Sequence, residues 1–199
     1  SEERLSPEFI RSEVAAGRLV ICANVNHRDL RPMGIGIGVC CKINANLGNS
    51  ALGSDIQAEV EKVKLAVKFG ADAVMDLSTG KQLDETREAI LRATTVPVGT
   101  VPIYEALERV NGKPEALTPE IMFKVIEHQA RQGVDFMTIH AGVLLEHLPL
   151  IKSRVTGVVS RGGAILARWC KARQKQNFLF SHFDRLLEIC KKYDVTISL

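Results

Sequence analysis

The residues of this chain that could hold or transform a small molecule sit where an apolar run gives way to polar side chains. The sharpest case is Val158-Val159-Ser160-Arg161-Gly162-Gly163. Its order predicts the end of a buried strand, a tight polar turn and a helix from Ala164 through Lys171. Backbone N–H groups at such a helix start lack intrahelical partners and lie at the positive end of the helix dipole. Ser160 adds a hydroxyl and Arg161 a planar cationic fork. That set suits a phosphate group. The alternative is that Gly162 and Gly163 only permit a turn at positive φ, with Arg161 a solvated surface charge. The same switch from apolar to polar recurs at Asn46, at Asp76-Leu77-Ser78-Thr79, at Thr100 and at His140.

Composition narrows the function classes. At 199 residues, 46% hydrophobic and 25% charged, the chain can build a sizeable core. Its net charge of +3 is spread among interleaved acids, as in Glu59-Val60-Glu61-Lys62-Val63-Lys64, so it carries no nucleic-acid footprint. The densest cationic run, Arg168 to Lys175, falls at an expected helix C-terminus, where dipole and solvation account for it. Five cysteines (Cys22, Cys40, Cys41, Cys170 and Cys190) form no C-x-x-C pair, which favours reduced thiols over disulfides. Adjacent Cys40-Cys41 would point to opposite faces of a strand, a poor start for metal or redox chemistry. No apolar run reaches the ~18 residues of a membrane span, and no signal peptide opens the chain. Ser1-Glu2-Glu3-Arg4 lacks an initiator Met, so a piece of a longer protein is expected.

The elements that must position these residues follow from periodicity and caps. Ser6 and Pro7 open a helix over 7–16, and Leu19-Val20-Ile21 suits a strand. Gly34, Gly36 and Gly38 imitate a dinucleotide loop, but Val39 stands where the last glycine belongs and the segment precedes a strand. From Cys41 onward strand and helix alternate. Lys42–Asn46 reads as a strand, and Ser54-x-x-Gln57 as a capping box opening a helix to Phe69, closed by Gly70. Ala73–Leu77 follows, then a helix over 85–93, the strand Val96–Gly99, and a helix from Thr118 and Pro119 to Gly133. Phe136–Ile139 and Val155–Val159 are the next strands, and Phe183, Leu186, Leu187 and Cys190 mark a last helix before Val195–Leu199. Residues 1–40 thus form an N-terminal helix and connector, and residues 41–199 a (β/α) unit. Alternation predicts a parallel α/β sheet covered on both faces. Polar residues at the ends of so many strands favour a TIM-type (β/α)₈ barrel over an open doubly wound sheet, here incomplete, with five to six strands.

With those strand ends assembled, several motifs resemble the phosphomethylpyrimidine synthase family. They are Lys42-Ile43-Asn44-Ala45-Asn46-Leu47-Gly48-Asn49-Ser50, Gly70-Ala71-Asp72-Ala73-Val74-Met75-Asp76-Leu77-Ser78-Thr79-Gly80, Pro97-Val98-Gly99-Thr100-Val101-Pro102-Ile103-Tyr104, Thr138-Ile139-His140-Ala141-Gly142-Val143 and Val159-Ser160-Arg161-Gly162-Gly163. The likeness runs from about Phe9 to Leu199. It implies a radical enzyme of thiamine biosynthesis, a carbon–carbon lyase that converts 5-aminoimidazole ribonucleotide to 4-amino-5-hydroxymethyl-2-methylpyrimidine phosphate. S-adenosyl-L-methionine and a [4Fe–4S] cluster would supply the radical, zinc a further metal site, and the fold would be a barrel paired as a homodimer. The location implied is bacterial cytoplasm or plastid stroma. Matched motif by motif, the substrate-binding positions are Asn46, Met75, Tyr104, His140, Ser160, Arg161 and Gly162.

Each has a plainer reading: Asn46 a loop cap, Met75 a core plug, Tyr104 a packed aromatic with its hydroxyl at the surface, His140 a rim histidine; against the plain reading of Tyr104, Pro102 suggests a loop fixed over the barrel mouth. Asn44 and Asp76 take no motif role and are read as structural. The family's C-x-x-C-x-x-x-x-C cluster motif is absent, and His27, His128, His147 and His182 show no zinc-ligand spacing, so no metal is assigned here. The cluster and zinc ligands are expected beyond Leu199, and the chain alone is expected to be inactive. Two other functions fit the residues: a phosphate-binding fragment without turnover, and a radical-free barrel isomerase or lyase of a phosphorylated sugar or nucleotide, using His140 or Asp76 for proton transfer.

Overall fold

Alternating strands and helices can close on parallel pairing alone, because each crossover returns the chain to the same end of the sheet. The computed structural model describes residues 3–49 and 55–199 and shows that arrangement. Helix α1 (Pro7–Ala15) leads into an antiparallel ribbon of β1 (Leu19–Cys22) and β2 (Met33–Gly36). The main sheet then runs β3 (Asn44–Leu47), α2 (Ile56–Lys68), β4 (Ala73–Asp76), α3 (Leu83–Ala93), β5 (Val98–Thr100), α4 (Pro102–Glu108), α5 (Pro119–Gln132) and β6 (Phe136–Thr138). After β6 come α6 (Leu148–Ile151), α7 (Arg161–Arg173), α8 (Phe178–Ser181), α9 (Phe183–Tyr193) and β7 (Thr196–Ser198).

The strand order is β3-β4-β5-β6-β7, all parallel, so every crossover steps one place in the same direction. A doubly wound sheet would reverse at a switch point. Among the described residues the architecture is therefore an incomplete TIM-type barrel of five strands, with β3 and β7 at its edges.

Register sorts the two faces. Leu47, Asp76, Thr100, Met137 and Ile197 align across the sheet, and Leu47 packs with Val63, Val74, Ile90, Leu91 and Val98 under α2 and α3. A larger cluster under α4, α5, α7 and α9 includes Phe123, Ile126, Met137, Leu166, Trp169 and Leu186. The opposite face carries the rank Asn46, Met75, Gly99, Phe136 and Thr196, which is the barrel lumen. A Cβ on Gly99 would collide with the Phe136 ring, so only glycine lets that ring lie across the β5 position.

Caps set the helix limits. Ser6 accepts from Phe9 N–H (3.2 Å), Thr118 from Ile121 N–H (3.3 Å), and Gly133 ends α5 at φ 114°. The expected capping residue Ser54 lies outside the described residues, as does Ser50. Asp55 caps α2, accepting from Gln57 N–H at 3.0 Å.

Three expectations change. Val155–Val159 forms no strand: Val155 and Val159 are exposed, Gly157 turns the chain at φ 60°, and β7 pairs directly with β6 (Phe136 with Thr196). β-branched residues favour extended backbone, but a strand needs an edge, and β7 already occupies the one beside β6. The helix at Ser160 starts at Arg161 and not at Ala164. Pro102 does not fix a loop but occupies the first turn of α4, consistent with its preset φ.

Candidate substrate site at the strand ends

All seven residues singled out from the sequence lie in or beyond the C-terminal halves of strands. Asn46 and Met75 are third of four in β3 and β4 and lie side by side in register on the lumen face. Asn44 sits on the same face, and its Nδ2–H donates to Asn46 Oδ1 (2.9 Å), which orients the exposed Asn46 amide. Met75 and Tyr104 both pack partly against the larger core cluster.

The densest meeting of functional groups involves α4, the loop after β6 and the start of α7. Ser160 is the N-cap of α7: its Oγ accepts from Gly163 N–H (3.1 Å) and its carbonyl from Ala164 N–H (2.9 Å). The same Oγ lies 3.0 Å from His140 Nε2. The Arg161 guanidinium stacks over the Tyr104 ring, 4.9 Å from its centroid, which holds a flexible cation in one place. A Cβ on Gly162 would run into the His140 imidazole. Neither Gly162 nor Gly163 has positive φ. The glycines are thus not turn formers; Gly162 is required because helix and histidine approach so closely.

These contacts redistribute the donors expected for an anion. Gly163 N–H is consumed by the cap, while the N–H groups of Arg161 and Gly162, at the first two helical positions, have no carbonyl four residues back inside the helix. Burial pushes the His140 pKa below the ordinary histidine value, so the ring is neutral at pH 7. Its Nδ1 is buried and has no hydrogen-bond partner among the described residues. Tyr104, His140, Ser160, Arg161 and Gly162 therefore form one connected group and Asn46 with Met75 a second. Both are at the strand ends, with no hydrogen bond or ring contact joining them among the described residues.

Asp76 does not belong to either group. It aligns with Leu47 and Thr100 on the helix-covered face and accepts from Ser78 N–H (2.9 Å). Burial pushes its carboxyl up, against the Ser78 bonds and the charge of Arg87. It shapes the loop after β4, where Ser78 Oγ in turn accepts from Asn49 N–H (3.0 Å).

The sequence reading missed Asn177, which is completely buried and binds the loop that carries His140. Its one legible signal is a capping residue type just before Phe178-Leu179.

A barrel that gathers polar side chains at the C-terminal ends of its strands, beside a helix start, has the layout of a small-molecule enzyme. The chain matches the model of the radical SAM ThiC family over residues 1–199, and it belongs to that family. At that level it is a radical SAM enzyme of thiamine-pyrimidine synthesis, chemistry that uses S-adenosylmethionine and an iron–sulfur cluster.

The residues described do not fit the cluster. Cys22, Cys170 and Cys190 are buried, and burial pushes their thiols up, Cys190 to about 11, whereas cluster ligands are thiolates. Cys40 and Cys41 are exposed, and no three cysteines gather among the described residues. Asp84, Glu105 and His128 do place ligand atoms within 4.8 Å of one another. A cation is already there: Arg87 bonds Asp84 Oδ1 (3.1 Å) and Glu105 Oε2 (2.8 Å), and Gln129 and Arg109 also donate to Glu105. That group is a protein ion-pair network.

Proposed function

We propose that this chain forms the substrate cradle of phosphomethylpyrimidine synthase, binding 5-aminoimidazole ribonucleotide for conversion to 4-amino-5-hydroxymethyl-2-methylpyrimidine phosphate. The observation that carries this reading is the joined cluster at the start of α7. The Arg161 cation is stacked in place on Tyr104, two helix N–H groups have no partner among the described residues, and a neutral His140 is bonded to the capping Ser160. In this proposal Arg161 and the N–H groups of Arg161 and Gly162 take the phosphate, and Ser160 stays a cap that orients them. His140 takes the ribose or ring contact that the motif resemblance implies, and Asn46 and Met75 supply an amide and an apolar wall. Binding energy from the phosphate, remote from the reacting carbons, fixes the ribose orientation. These residues bind and orient, and no step of the radical reaction is assigned to them. The same resemblance implies a homodimer, which sedimentation velocity checks.

Calorimetry with the ribonucleotide tests the reading. Arg161→Ala is expected to weaken binding about tenfold to a hundredfold, the loss of a charge-assisted contact pair. Unchanged affinity would sink the phosphate role.

A further inference from the structure

The loop between Thr138 and Leu145 carries His140, yet its own regular structure ends at β6. Something else must hold the histidine against Ser160 and Gly162. The Asn177 side chain is fully buried and uses both ends of its amide. Its Nδ2 donates to the carbonyls of His140 (2.8 Å) and Ala141 (3.3 Å), while Oδ1 accepts from Leu179 N–H (3.0 Å) at the start of α8. The neighbouring Gln176 Oε1 accepts from Asn177 N–H (2.9 Å) and from Leu145 N–H (3.0 Å), pinning the far end of the same loop.

We infer that Asn177 is a positioning residue of the site, acting through His140: it locks the backbone on which the imidazole is mounted, and so fixes the ring between Ser160 Oγ and Gly162. The donor–acceptor pattern admits few substitutes. Aspartate would turn an oxygen toward two carbonyls, and serine is too short to span from α8 to the loop. An anchored backbone matters here because Gly162 leaves the imidazole no slack. A ring displaced by a rotamer step could neither reach Ser160 nor keep Nδ1 buried.

The inference rests on His140 belonging to the ribonucleotide site, and its test separates the two claims. The imidazole resonances of His140 are followed by NMR in the ligand-free protein, alongside calorimetry with 5-aminoimidazole ribonucleotide. Asn177→Ser is expected to shift the ring resonances, to move the His140 titration up toward that of a solvated histidine and to weaken the ribonucleotide about tenfold. Gln176→Ala, at a half-buried position, keeps the test open where Asn177→Ser does not fold. It should move the resonances in the same direction by less. A variant that melts like the wild type and leaves the His140 resonances and titration in place overturns the positioning role, whatever the calorimetry gives. Moved resonances with unchanged affinity keep Asn177 as the anchor of His140 and remove His140 from the ribonucleotide site.

Discussion

At the residue scale, the site depends on close approaches that only particular side chains allow. Gly162→Ala builds a methyl into the His140 ring, and overpacking of this kind typically costs ~1–3 kcal/mol. Urea denaturation should show that loss, and an unchanged midpoint would mean that His140 swings away freely. His140 itself should titrate below the ordinary histidine value, because burial disfavours its charged form. With its folded pKa depressed, its neutral burial supports the fold fully above about pH 6.5 and that support fades as pH falls through the lower folded value. NMR titration of the ring measures the midpoint directly, and a value at or above 6.5 would contradict the burial. Ser160 and Arg161 were legible from residue type and order. The reason for Gly162 was not, since a tight contact with a residue 22 positions earlier leaves no local mark. Asn177 was hidden for the same cause: its partners His140 and Ala141 lie more than 30 residues away.

At the element scale, a buried carboxylate is among the groups that tie the N-terminal connector to the base of the sheet. Asp135 accepts from Asn24 N–H (2.9 Å), Val98 N–H (2.8 Å) and the His27 ring (2.7 Å), with both side chains of the His27–Asp135 pair almost wholly buried. Burial alone would lower the His27 pKa, but the bond to Asp135 and its charge outweigh it, and the pKa is raised. The pair's stabilisation is thus complete below about pH 6.5 and declines as pH rises through the raised folded value. Compared by urea midpoints at pH 6 and pH 9, the wild type should lose part of its advantage over His27→Gln at the higher pH. A constant difference would count against a charged His27. The elements themselves were largely readable. Caps at Ser6, Thr118 and Gly133 delivered α1 and α5, while the apolar run at Val155–Val159 misled because local composition cannot say which segment wins the edge of β6.

At the scale of the whole molecule, helices α3, α4 and α5 are joined on the outer side of the sheet by the network around Glu105. Arg87 and Glu105 are both buried, and removing Glu105 leaves the Arg87 guanidinium with only the half-exposed Asp84 as a charged partner. Glu105→Ala should therefore cost about 3–5 kcal/mol, whereas replacing Arg87 and Glu105 together by apolar residues should cost clearly less than the sum of the single changes. A double-mutant cycle by chemical denaturation decides it, and strict additivity would show the pair to be uncoupled. The network also accounts for the metal-like trio of side chains, because Arg87 supplies the positive charge beside Asp84 and Glu105.

The sequence by itself determined the alternation of strand and helix, the parallel sheet, and which residues stand at the strand ends, since caps, glycines and apolar periodicity are local and each is written within a few positions. Tertiary structure decided what depends on distant segments meeting. It assigned the edge of β6 to Thr196–Ser198, placed Asp76 toward the helices and away from the lumen, and set Arg161 on Tyr104 and His140 on Ser160. Those outcomes rest on competition among pairings and on close packing, and neither can be read from one stretch of chain.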